Sequence, residues 1–175
     1  MTKKILCALI FLVGGFFVYD FFLKPPSFKN GAEAPVFSGT LVNGSAFSLS
    51  DLRGQYVLVD FWGSWCGPCI KEIPSLKALH QKYHGKSFSD GSNFQVVSIA
   101  LEKSDKYTKQ IISNRGLSWP HHIIDTNPII MVSKYAQLYE VKNLPTKFLV
   151  NPDGNIIANN LSYDELDKLL EARLK

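Results

Sequence analysis

Val57-Leu58-Val59-Asp60-Phe61-Trp62-Gly63-Ser64-Trp65-Cys66-Gly67-Pro68-Cys69 joins an apolar run, a small turn and two cysteines separated by two residues. The run is β-branched and aromatic over strand length, which predicts a buried strand. Beyond the pair, Ile70, Ile73, Leu76, Leu79 and His80 or Tyr83 recur at helical spacing, so Ile70 to His84 reads as a helix. Cys66 therefore stands at a strand-to-helix junction. The unpaired N–H groups and partial positive charge of a helix N-terminus favour a thiolate over a thiol. Thiols in Cys-X-X-Cys at such positions titrate below the free value of about 8.5. Cys69 returns within bonding reach one turn on, and Pro68 suits a first turn, where its missing N–H costs no helical bond. Attack by Cys66 on a partner disulfide, then resolution by Cys69, is thiol–disulfide exchange.

Other uses of paired cysteines have less behind them. A zinc site needs a second pair or two suitably spaced histidines. The remaining cysteine, Cys7, lies in a hydrophobic segment, and His80, His84, His121 and His122 have no finger-like spacing to the pair. A purely structural bridge closing so short a loop would remove little chain entropy. His121 and His122, adjacent on an extended segment, point to opposite faces, so no metal site is expected there.

On these residues the chain resembles the thioredoxin superfamily. Val57 to Trp62, the Trp65-Cys66-Gly67-Pro68-Cys69 site and Pro74 in the next helix stand where a thioredoxin has them. Ala34-Pro35-Val36-Phe37, Gly44, Phe47-Ser48-Leu49-Ser50-Asp51-Leu52-Arg53-Gly54 and the run from Leu144-Pro145-Thr146 to Asn151-Pro152-Asp153-Gly154 are similar to the membrane-anchored, extracytoplasmic branch related to TlpA and ResA. The resemblance covers about residues 33 to 174. It implies an α/β thioredoxin-like fold, a central mixed β-sheet flanked by helices, with an extra N-terminal β-hairpin. It also implies a protein thiol–disulfide oxidoreductase with no cofactor beyond the redox-active Cys66–Cys69 pair.

The resemblance assigns roles residue by residue. Cys66 would be the nucleophile and Cys69 the resolving thiol. Asp60 would be a desolvated carboxylate that takes the proton from Cys69, although a carboxylate reached by water or capping a loop is the plainer alternative. The lysine that thioredoxins pair with this acid is not evident on the next strand, Phe94 to Leu101. Glu72 matches an acid that ResA-like proteins hold near their dithiol, and it also suits the first turns of a helix on charge alone. Trp65, Gly67, Pro68, Leu144 and Pro145 would contact the client, with Pro145 matching the superfamily's cis-proline and the Leu144 backbone free for β-strand addition.

The rest of the chain frames this domain. At 175 residues, 46% hydrophobic and 19% charged, it suits one globular domain with a hydrophobic appendage. Lys3 and Lys4 precede an apolar stretch, and the 19 residues from Ile5 to Leu23 would reach roughly 28 Å as a helix, close to a hydrocarbon core. Residues 1–23 are therefore expected to be an N-terminal signal-anchor, with a cleaved secretory signal as the competitor. Residues 24–32, beginning Lys24-Pro25-Pro26, read as a short linker and 33–175 as the thioredoxin-like domain. The anchor would set the domain in the periplasm or extracytoplasmic space of the bacterial inner membrane. Beyond residue 32 the balance is fifteen Lys and Arg against fourteen Asp and Glu, which gives no footprint for nucleic acid.

Within the domain, Asn43-Gly44 marks a hairpin between Val36 to Leu41 and Ser45 to Leu49. His84 to Asn93 reads as a polar loop. Ser104 or Asp105 should cap a helix to Asn114, Met131 to Glu140 should carry Tyr135, Leu138 and Tyr139 to the core, and Ser162 with Glu165 forms a capping box for the last helix. Gly67-Pro68 resembles the dipeptide of reducing thioredoxins. The resemblance accordingly implies a reductase of client protein disulfides, recharged by a membrane electron donor of the DsbD/CcdA type and able to prepare apocytochrome c thiols. An oxidase or isomerase would use the same residues. A non-enzymatic copper-delivery module of the Sco type would normally have more widely spaced cysteines, and a peroxiredoxin would carry threonine where Gly63 stands.

Overall fold

The computed structural model describes residues 2–19, 28, 30–90 and 92–174. Its centre is a five-stranded sheet in the order β5-β4-β3-β6-β7. The strands are β3 (Tyr56–Trp62), β4 (Phe94–Leu101), β5 (His121–Asp125), β6 (Thr146–Val150) and β7 (Ile156–Asn159). β3 pairs in parallel with β4 and antiparallel with β6, so the sheet is mixed. With both faces of the sheet covered, every residue of β3 is buried, and the strand reads as an almost unbroken apolar run. Alternation along it separates two cores: Val57, Val59 and Phe61 enter one, Tyr56, Leu58 and Trp62 the other. Asp60 shares the second face.

The first face is covered by the expected hairpin. β1 (Ser38–Thr40) and β2 (Ala46–Ser48) pair antiparallel as a separate two-stranded sheet, with Gly44 at φ +88° in the turn. Phe37 from this unit lies against the rings of Tyr135 and Tyr139, at 5.5 and 5.9 Å. Tyr135 lies in, and Tyr139 caps, a helix shorter than the periodicity implied, Lys134–Leu138, here α4. Leu138 is exposed, contrary to expectation. Successive helical residues turn by about 100°, and the buried stripe of Tyr135, Ala136 and Tyr139 leaves Leu138 about 60° outside it.

The second face carries α2 (Gly67–Tyr83), α3 (Asp105–Asn114) and α5 (Tyr163–Glu171). Cys69, Ile73, Leu76, Leu79, His80 and Tyr83 form the buried stripe of α2. Ser104 caps α3, and Ser162 with Glu165 makes the capping box of α5. The 84–93 stretch is less loop-like than its composition: Phe88 is fully buried, 4.8 Å from the Tyr56 ring and 6.0 Å from Tyr83. His121 and His122 do point to opposite faces, the first toward Phe47 and the second stacked on Trp119.

Among the described residues no helix is long and apolar enough to cross a membrane. The N-terminal helix α1 (Thr2–Val18) has 17 residues, with Ile5, Leu6, Leu9, Ile10 and Phe11 exposed, and residues 20–23 of the expected anchor lie outside the described residues. The stretch read as a linker includes a residue that the domain holds. Phe28 sits 6.1 Å from both the Tyr139 and Phe148 rings, and Asn159 Nδ2–H donates to its carbonyl at 2.9 Å. Gly31 and Ala32 exchange backbone hydrogen bonds with Ile156. An aromatic residue in a polar stretch had a core to enter. Because Phe28 is half-buried, Phe28→Ala should cost about 2 kcal/mol, below the range for a full aromatic truncation, measured as a lower urea midpoint at unchanged m-value.

Candidate functional site

The site is assembled where β3 hands over to α2. Cys66 has extended backbone, caps α2, and accepts the Cys69 N–H on its Sγ at 3.2 Å. The helix therefore starts at Gly67, three residues ahead of the apolar periodicity. Cys66 and Cys69 are bridged by a disulfide and both are buried, while Gly67 and Pro68 are exposed. The Cys66 sulfur is thus fixed at the positive end of a 17-residue helix.

The turn before it is pinned by groups that sequence reading passed over. Glu102, buried just beyond the end of β4, accepts both the Ser64 N–H and the Ser64 hydroxyl, the latter at 2.8 Å. Trp65 Nε1–H donates to the Leu101 carbonyl at 2.7 Å. A Cβ at Gly63 would lie 2.8 Å from Trp65 Nε1, so glycine is what lets the indole fold back over the turn. An acid directly after an apolar strand was the available signal for Glu102. Trp65 keeps 53% of its surface exposed beside the dithiol. On the other side, the Leu144–Pro145 peptide is cis, Leu144 is half-buried, and Thr146 Oγ1–H donates to the Asn143 carbonyl at 2.7 Å.

Beneath the disulfide lies a small cavity of about 10 Å³ whose walls include Asp60, Cys69, Glu72, Pro145 and Tyr163. That is room for about one water. Burial pushes the Asp60 carboxyl up to about 7, against the pull of Lys147, with Glu72 pushing further in the same upward direction. Burial, with Asp60 and Glu72 nearby, likewise raises the Tyr163 phenol. Here the structure corrects the search for a lysine. The β4 residue beside Asp60 is Ser98, and the cation comes instead from the opposite neighbour: Lys147 on β6 is the direct register partner of Asp60. Its Nζ pairs with Glu72 Oε2 at 2.9 Å and stands 4.9 Å from the Tyr163 ring centre. Asp60, Cys69, Glu72 and Pro145 are thereby brought together, whereas Trp65 faces away from the cavity onto an open groove.

A family pattern described as thioredoxin-like matches residues 54–156. A thiol-disulfide oxidoreductase ResA of Bacillus thuringiensis is 32% identical over 162 residues, spanning 92% of this chain and 86% of the relative. The ResA of Bacillus subtilis is 32% identical over 154 residues, 87% of this chain and 76% of the relative. Among solved structures, a thiol-disulfide oxidoreductase from Bacteroides fragilis superposes with a TM-score of 0.67 at 30% identity, covering 79% of this chain and 99% of that one.

The raised Asp60 carboxyl has a consequence for stability. Between its ordinary value of 3.8 and about 7 the folded chain holds a proton that the unfolded chain has lost, so this group's contribution falls as pH rises through that window. The slope is about 1.4 kcal/mol per pH unit. Asp60→Asn should therefore gain on the wild type from pH 4 to pH 8 in urea unfolding; a difference that does not vary with pH would contradict the placement of a desolvated carboxyl.

Proposed function

We propose, since the chain belongs to the thioredoxin-like family and is a thiol–disulfide oxidoreductase, that it reduces disulfides of extracytoplasmic client proteins through Cys66 and Cys69. The observation that carries this reading is the bridged pair at the N-cap of α2 above a buried Asp60 whose carboxyl is raised to about 7, so that its ionised form can take a proton near neutral pH. In the reduced protein, the Cys66 thiolate attacks a client disulfide. The client S–S bond breaks, a Cys66–client bond forms, and one client thiolate leaves. Cys69 gives its proton to Asp60 and its thiolate attacks Cys66 Sγ, which re-forms the Cys66–Cys69 bridge and releases the second client thiolate. Two electrons have passed from the dithiol to the client. A dithiol of a membrane-embedded donor of the DsbD/CcdA type would restore the reduced pair.

The client would lie between the Leu144 backbone and the exposed Trp65. Beside Cys66, Trp65, Tyr107, Pro128 and Ile129 line an open groove of about 640 Å³, and Trp65, Tyr107 and Ile129 are each more than half exposed. Such a surface supports recognition of an extended client segment with apolar residues flanking its cysteine. The likeness to TlpA/ResA-like proteins supports apocytochrome c among the clients. The apolar, exposed α1 supports an anchor completed by the residues that follow it, with the domain on the extracytoplasmic side of the bacterial inner membrane.

Two experiments test the reading. Cys69→Ser should accumulate a client joined to Cys66, seen as a reducible band on non-reducing gels, and Cys66→Ser should accumulate none. The reduction potential of the pair should fall near the thioredoxin value of about −270 mV; a value near −120 mV would reverse the direction to disulfide donor. For the groove, Tyr107→Ser with Ile129→Ser should raise KM for a protein disulfide several-fold while leaving the rate on a small aromatic disulfide unchanged.

A further inference from the structure

The domain gathers its exposed apolar side chains at one end. Strands β3, β4 and β5 are parallel, so the segments that follow them, which carry Trp65, Tyr107 and Ile129 to Val132, all leave the sheet at the end that bears Cys66. Among the described residues beyond Tyr19, seven large hydrophobic side chains are exposed, and five of them, Trp65, Tyr107, Ile129, Met131 and Val132, stand on these segments. Val36 lies at the other end, in a hollow with Val57, Val150 and Asn151. The acids Glu102, Asp105 and Asp125 of the same segments are engaged, by Ser64, by Lys109 and by Ser133 with Asn127. Lys103, Lys106 and Lys134 are exposed beside them.

The outer edge of β7 fixes where the upstream chain arrives. Asn159 Nδ2–H donates to the Phe28 carbonyl, Gly31 and Ala32 exchange bonds with Ile156, and Glu33 bridges Asn155. Through β6, Asn159 is level with Val59 of β3, and Ile156 with Val57. Residues 28–33 therefore run away from the Cys66 end, and traced backwards from Phe28 the chain heads toward it. The nine peptide steps between Tyr19 and Phe28 span at most roughly 32 Å.

We propose that the Cys66 end of the domain rests on the surface of the bilayer that α1 enters, with the five apolar side chains at the headgroup boundary and the three lysines against anionic headgroups. The inference rests on the reading of residues 1–23 as an anchor. Two independent observations converge on it: the backbone direction at Phe28 points the anchor toward this end, and the rim there has the composition of an interfacial surface. Trp and Tyr favour the boundary between water and hydrocarbon, aliphatic side chains enter it, and lysines reach headgroup charge on flexible stems. A client groove alone accounts for Trp65, Tyr107 and Ile129, which line it, but not for Met131 and Val132, which do not. The contact can be weak, because a short tether keeps the local concentration of the domain high. A client segment then displaces lipid from the groove beside Trp65. Thiols and disulfides presented at the membrane surface are thereby favoured over those of proteins free in solution.

Trp65 is the natural reporter, since Trp62 and Trp119 are buried. The full-length chain is reconstituted into vesicles of phosphatidylcholine and phosphatidylglycerol that carry a nitroxide at the headgroup end of the acyl chain. Trp65 emission should be quenched by the nitroxide lipid and shielded from aqueous acrylamide several-fold better than in vesicles of phosphatidylcholine alone. Lys103→Gln, Lys106→Gln and Lys134→Gln combined should lower the quenching to the level seen without phosphatidylglycerol. With Trp65→Phe, Val36→Trp moves the reporter to the far end, and that indole should stay unquenched. Equal quenching at both ends, or at neither while the protein resists extraction by alkaline carbonate, overturns the orientation and leaves the anchor standing. Quenching of Trp65 that is the same with and without phosphatidylglycerol overturns the anionic surface as the partner. Release of the chain by carbonate removes the anchor, and the orientation falls with it. Should Trp65→Phe fail to fold, the wild type and the lysine variant in the two kinds of vesicle still decide the question.

Discussion

A carboxylate taken out of water must be neutralised or paired, and Asp60 is placed so that both remain possible. Its neighbour across the β3–β6 pairing is Lys147, which is itself engaged by Glu72. Much of the architecture is needed to hold these three groups. The mixed sheet sets the register, α2 carries Glu72 and the dithiol over the same face, and α5 supplies Tyr163 as a wall. A charge stranded here without Lys147 would oppose folding; with it, the carboxyl is held near neutrality in proton affinity. That is the range in which a group can both accept and surrender a proton during turnover.

The two faces of the sheet divide the labour. The face under the N-terminal hairpin is aromatic and closed, with Phe37, Tyr135, Tyr139 and Phe148 in mutual contact and Phe28 added from upstream. It gives β3 a rigid back. The opposite face carries Asp60, Lys147 and Glu72, gathered toward the end of β3 that leads into Cys66. Glu102 and Leu101 at the end of the parallel neighbour β4 fix the turn from one side, and the Pro145 loop before β6 bounds it from the other. Cys66 is therefore bounded by three separate parts of the chain.

How much of this was legible in the sequence depended on range. Local chemistry read through directly: the strand, the dithiol at a helix start, the hairpin at Asn43-Gly44 and the Ser162–Glu165 box all follow from residues a few positions apart. The mixed sheet and the oxidoreductase class followed from motifs together. Lys147 did not, because its partners are 75 and more positions away and strand pairing is not written in a linear pattern. It was sought on β4, where Ser98 lies. The clue was nonetheless present, since in Thr146-Lys147-Phe148-Leu149-Val150 the alternation puts Lys147 on the side of the buried Leu149. Phe28 and Phe88 were missed for the converse reason: single aromatics in polar stretches carry no periodicity, and their burial depends on a core built elsewhere.

The origin of Lys147 on β6 bears on the order in which the molecule can come to life. Cys66, Cys69, Asp60 and Glu72 all lie within 13 consecutive residues, so a nascent chain holds the thiols and both acids long before β6 exists. Closing β3 against β6 is a long-range event, of the kind that is entropically costly in an unfolded chain. Until that strand docks, Asp60 has no low-dielectric wall and no counter-charge, and its carboxyl behaves as an ordinary surface acid. A carboxyl raised to about 7 is thus a property of the completed fold, and a half-made chain carries the cysteines without it.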